Sequence, residues 1–154
     1  MVEIGLEIPR RFEPTLEKLK GLVGETRFAQ AVGQARLYEQ TLRQLAAEDE
    51  DKAREIVLED IERMLDDLPG PVRSRFRVFL RENAGAVSIN WLIGIAVVIF
   101  IFAMLYPMII DFTSQAAAST SDTSTQTMIN MIPKILALVL VVSILLGAFY
   151  GRGD

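Results

Sequence analysis

The sequence predicts an all-α protein: a two-span transmembrane helical hairpin preceded by a small acidic helical domain. Three observations predict it. Residues 91–110, WLIGIAVVIFIFAMLYPMII, carry no charge, and a helix of that length, at about 1.5 Å per residue, spans about 30 Å, the hydrocarbon thickness of a bilayer. A second apolar run at 132–150, IPKILALVLVVSILLGAFY, follows a polar interval and has Lys134 as its only charge. Charge is also segregated along the chain. Residues 1–70 hold 10 Lys/Arg and 16 Asp/Glu, residues 71–83 hold four arginines against Glu82, and residues 84–154 hold two basic and three acidic groups. These compositions divide the chain into an acidic helical domain at 1–70, a basic collar at 71–83 and a membrane hairpin at 84–154, with spans at about 91–110 and 132–150.

Composition removes most chemistry. The 154 residues are 51% hydrophobic, with net charge -4 and neither cysteine nor histidine. Disulfides, thiol nucleophiles, imidazole acid–base catalysis and most zinc sites are thereby excluded. The carboxylates of residues 48–67 fall at helical spacing on a water-facing side, with no apolar pocket to raise a pKa. No catalytic residue, cofactor or metal site is expected, and the chain does not read as an enzyme.

Taken in order, residues 1–13 are a short mixed arm. Two acidic residues precede the first basic one and no apolar core follows, so no signal peptide is expected there. Pro14 and Thr15 suit a helix start, continued by LEKLKGLV and ended by Gly24. Between Glu25 and Ala47, the residues Phe28, Val32, Ala35, Tyr38, Leu42 and Leu45 recur at three- and four-residue steps and share one helix face. Gly33 weakens that helix by about 1 kcal/mol relative to alanine, and its small size permits close approach of another helix. The run Glu48, Asp49, Glu50, Asp51 lacks the spacing and glycine of a calcium loop and reads as a solvated helix cap.

From Lys52 to Leu68 a further helix carries Ala53, Ile56, Val57, Ile61, Met64, Leu65 and Leu68 on its apolar stripe, and Pro69-Gly70-Pro71 ends it. About 70 residues bury a modest core, so self-association of this part is expected.

In the collar, Arg73, Arg75, Arg77 and Arg81 interleave with Val72, Phe76, Phe79 and Leu80. Ahead of a membrane span this pattern fits an interfacial segment, with arginines on headgroup phosphates. The same groups can neutralise a nucleic-acid backbone, so genome DNA is the rival partner. Basic residues favour the inner side of a membrane, which predicts both termini inside and the Ser/Thr-rich connection at 111–127 outside. Arg152 agrees with this topology, and Lys134 is expected to snorkel outward from the second span.

Within the spans, Pro107 is expected to bend or end the first helix and Pro133 to sit in the first turn of the second. Trp91 and Tyr106 lie near opposite interfaces. Asn90 and Gly94 on the first span, and Ser143 and Gly147 on the second, form narrow faces for close helix packing. No ionisable group occupies the middle of either span, so no proton relay is expected.

The polar lead ENAGAVSIN, the span ending in YPMIIDFTSQ, the Ser/Thr-rich connection and the closing NMIPKILALVLVVSILLGAFYG together resemble the major coat proteins of spindle-shaped archaeal viruses, the fuselloviruses. The resemblance covers residues 82–154. It implies a virion coat subunit built as a hydrophobic hairpin, packed with lipid into the shell in many copies. It also implies removal of the N-terminal part at a boundary near Arg81 and Glu82. Two other readings use the same residues. A cellular membrane anchor or adaptor would capture a partner through residues 1–70, and a holin-like pore former would leak ions on expression.

Overall fold

The computed structural model describes residues 12–67, 70–83 and 87–150. All regular elements among them are α-helices: α1 (Glu13–Val23), α2 (Glu25–Glu48), α3 (Glu50–Leu65), α4 (Gly70–Asn83), α5 (Ile89–Ala118) and α6 (Thr123–Tyr150). The all-α expectation holds for the described residues.

The breaks between the first helices follow from local chemistry. Gly24 separates α1 from α2 at φ 90 and ψ 158, a conformation open essentially to glycine alone. Its N–H still donates to the Lys20 carbonyl at 3.0 Å, so the end of α1 is satisfied while the chain turns. Asp49 separates α2 from α3. Its backbone is extended and its Oδ1 accepts the Lys52 N–H at 3.1 Å, an N-cap. The acidic run is thus a helix cap, as its composition predicts.

α5 is the axis of the fold. It packs against α1, α2, α3 and α6, while α4 packs against α3 and α6. A single cluster of buried residues joins all six helices, running from Phe12 and Leu16 through Phe28, Ala35, Leu42, Val57 and Ile61 to Phe76, the α5 residues, Ala137 and Leu140. The stripes read from the sequence on α2 and α3 are the faces that meet α5: Phe28, Val32, Ala35 and Leu42, with Ala53, Val57, Ile61 and Leu65, are buried.

Several boundaries differ from expectation. α5 has 30 residues and continues through Pro107 to Ala118. Pro107 does not end the helix, although its ring removes one backbone donor; Tyr106 and Ile109 beside it are buried. The connection is the short segment 119–122 rather than 111–127. α6 begins at Thr123, so Pro133 lies well inside that helix and not in its first turn. The cause is at Asp122, whose carboxylate accepts the Thr125 N–H at 2.9 Å and starts the helix upstream of the apolar run. The Gln126 side chain also donates to the Thr120 carbonyl at 2.7 Å across the turn.

Candidate functional site: an enclosed helix of membrane length

Among the described residues one helix, α5, is long and apolar enough to cross a membrane, and 67% of its most apolar stretch is buried inside the protein. Its two halves have different surroundings. From Leu92 to Ile99 every consecutive residue is buried, so the helix is enclosed on all sides over more than two turns. Beyond Ile109 only Thr113 and Ala117 are buried, a four-residue step that marks one face turned to α6. The Thr113 hydroxyl donates to the Ile109 carbonyl at 2.9 Å, which satisfies it without a partner from another helix.

The enclosure is built by α2 and α3. The Tyr38 ring stacks on Phe100 with centroids 4.9 Å apart and planes 13° from parallel. The Tyr38 hydroxyl donates to Asp60 Oδ2 at 2.9 Å, tying α2 to α3 beside the stack. Burial, reinforced by the bond to the Asp60 carboxylate, holds the Tyr38 phenol above its usual range. It is therefore a hydrogen-bond donor throughout the physiological pH range.

Polar contacts fasten the start of α5. Ser88 caps the helix, its Oγ accepting the Trp91 N–H at 3.3 Å. Arg54 on α3 donates to the Val87 carbonyl at 2.7 Å. Arg43 on α2 donates to Asn90 Oδ1 at 3.2 Å and to the buried carboxylate of Glu39 at 3.0 Å.

A second surface lies on the hairpin itself. α6 turns Pro133, Ala137 and Leu140 inward. Met128, Met131, Ile135, Leu138, Val139 and Val142 remain exposed, and Ile110 and Phe112 of α5 are exposed beside the turn. From Thr123 to Val142 the one charged residue of α6 is Lys134, which is exposed.

The residues singled out from the sequence take these places. Trp91 is partly buried in the first turn of α5, and Gly94 is buried within the enclosed half. Asn90 is exposed and occupied by Arg43 rather than by a residue of α6. Arg77 and Arg73 approach Asp66 at 2.8 and 3.8 Å, fixing α4 to the end of α3. Arg75, Arg81 and Glu82 are exposed on α4, whose Phe76, Phe79 and Leu80 are buried. The side chains of Ser143 and Gly147 lie outside the described residues. The Tyr38–Phe100 stack and the Arg43 and Arg54 bonds are not visible in the sequence. The one trace of them is that Tyr38 belongs to the apolar stripe of its helix.

Between α3 and α4 an open cleft of 430 Å³ is lined by Glu55, Leu58, Glu59, Glu62, Arg77, Leu80 and Arg81. Opposite charges face each other there and cancel most of its field. Among the described residues, no group of three or more Asp or Glu is arranged to hold a metal ion.

The fold defines a class: an all-helical protein assembled around one helix of membrane-spanning length and composition. Comparison with protein-family models, curated proteins and solved structures finds no match.

Proposed function

We propose that the chain is a structural subunit of a lipid-containing particle. In this reading the α5–α6 hairpin enters lipid and associates side by side with other copies, as in the coat of a spindle-shaped archaeal virus. The observation that carries the reading is the exposed apolar row of α6, from Met128 to Val142, continued onto Ile110 and Phe112. Water leaves such a row uncompensated, whereas acyl chains and neighbouring helices cover it.

In lipid, apolar helices gain nothing from one another by hydrophobicity alone, so order among copies comes from close contact between narrow faces. The small residues Ser143 and Gly147 of the second span are the positions that the sequence offers for it. Arg75 and Arg81, with Arg73 and Arg77, then lie on the inner side against headgroup phosphates or the genome, and the turn at 119–122 lies outside. The anchor reading requires residues 1–70 to hold a partner. Their apolar stripes are already spent on α5, which favours the structural reading.

The test is purification of the full chain from membranes. Extraction should require detergent, and chemical cross-linking in the bilayer should give a ladder of many copies. Leu138→Glu, which places a charge in the exposed row, should abolish the ladder. A wild-type chain that stays dissolved and monomeric without detergent would overturn the proposal.

A further inference from the structure

We infer that α1–α3 form a displaceable cover on α5, with acyl chains as the occupant that replaces them. The inference rests on the membrane reading above and adds its regulation: the covered chain is held from full insertion until the cover lifts.

Three features support displacement by lipid in particular. The contact between cover and helix is apolar along the enclosed half of α5, made by residues such as Ala35, Leu42, Val57 and Ile61 and by the stacked Tyr38. Lipid tails are as apolar as these side chains, so α5 loses little by the exchange, and the apolar stripes of the amphipathic cover helices come to rest on the headgroup–acyl boundary rather than in water. The Arg43–Asn90 bond and the bond from Arg54 to the Val87 carbonyl, which cross that contact, sit at the extreme start of α5. Water or headgroups reach that level, so breaking them buries no unsatisfied group.

The outer faces of the cover are charged, with Glu55, Glu59 and Glu62 exposed on α3. Helices of that kind resist the hydrocarbon. The uncovered half of the hairpin meets lipid first, through Ile110, Phe112, Met131 and Ile135. As it sinks, a charged cover cannot follow, and the partition peels it from α5. The chain joining the cover to α5 runs through α4, so the two parts stay linked at the interface.

The experiment uses the full-length Tyr38→Cys/Phe100→Cys double variant. The native chain has no cysteine, so a short reducible bis-maleimide bridges only this pair and locks α2 to α5. Flotation with phosphatidylcholine vesicles should recover about tenfold less of the bridged than of the reduced form, since a locked cover removes the difference in affinity on which insertion depends. Reduction of the bridged sample should restore recovery. Val57→Asp/Ile61→Asp, which loosens the α3 part of the cover from α5, should raise recovery above wild type and guards against misfolding of the cysteine variant. If bridged and reduced forms float equally and the α3 variant floats no better than wild type, the cover is overturned while the membrane reading stands. If no form floats, the membrane reading itself falls.

Discussion

Whether α2 lies on α5 is decided by the Tyr38–Phe100 contact. Tyr38→Phe removes the hydroxyl that donates to Asp60 at 2.9 Å. Asp60 keeps partial exposure and lies 3.8 Å from Arg63, so the loss is that of a solvent-softened bond, about 1 kcal/mol. Tyr38→Ala removes the ring as well. Phe-to-Ala truncations in a core cost about 3–5 kcal/mol, and partial burial places this one near the lower end, about 3 kcal/mol. Phe100→Ala should cost about the same. The double variant isolates the stack: rings 4.9 Å apart and nearly parallel should show a coupling of about 1 kcal/mol. Urea unfolding of the detergent-solubilised chain, followed by the fluorescence of Trp91, the sole tryptophan, measures all four corners of the cycle. A coupling within about 0.3 kcal/mol of zero would mean that the rings do not meet, and the enclosure of α5 would be wrong.

Other perturbations test separate joints of the fold. Arg43→Ala removes the 3.0 Å Arg43 contact of the buried Glu39 carboxylate and should cost about 1–3 kcal/mol in the same unfolding assay, with part of it recovered in Arg43→Ala/Glu39→Gln. Gly24→Ala meets no atom within 4 Å, so its cost is conformational, about 2 kcal/mol, read as loss of protection of α1 amides in hydrogen exchange. Asp122 is held below the usual carboxylate range by the Thr125 hydroxyl and then by the Thr125 N–H. A depressed folded-state pKa gives stabilisation that is full above the ordinary carboxylate pKa and lost as pH falls through the lower folded value. The start of α6 should therefore fray only in strong acid, and Asp122→Asn should remove that pH dependence, as carboxyl and amide NMR shifts of 122–126 will report.

Much of the helical framework was legible because period-3.6 stripes are strong signals. The faces of α2 and α3 and the Asp49 cap follow from residue type and spacing alone. The start of α6 did not, because Thr123–Met131 is rich in Ser and Thr and lacks an apolar stripe. A capping carboxylate at Asp122 and the Gln126 bond decide it instead. Pro107 as a helix end and Pro133 as a first-turn residue mislead for a related reason. Each removes one backbone donor, but flanking turns packed on a neighbouring helix carry the chain through. Tertiary placement was the least legible of all. A stripe such as Phe28–Ala35–Leu42 states that a surface must be covered, not whether its cover is a sister helix, a second chain or the span downstream.

The amount of uncovered surface separates a simple dimer from an extended setting. Six large side chains on α6, from Met128 to Val142, are 37–70% exposed. Full burial of such a residue is worth about 1.5–3 kcal/mol, so completing their burial gains on the order of 6 kcal/mol per chain. Pairing two chains costs about 4–15 kcal/mol in lost freedom before any contact is credited. A single partner helix covers only part of the row, so a water-borne dimer gains little. A lipid environment covers the row around its whole circumference without ordering a second protein, and neighbouring copies then associate in two dimensions, where less freedom remains to be lost. The exposed row therefore favours lipid first and lateral assembly second.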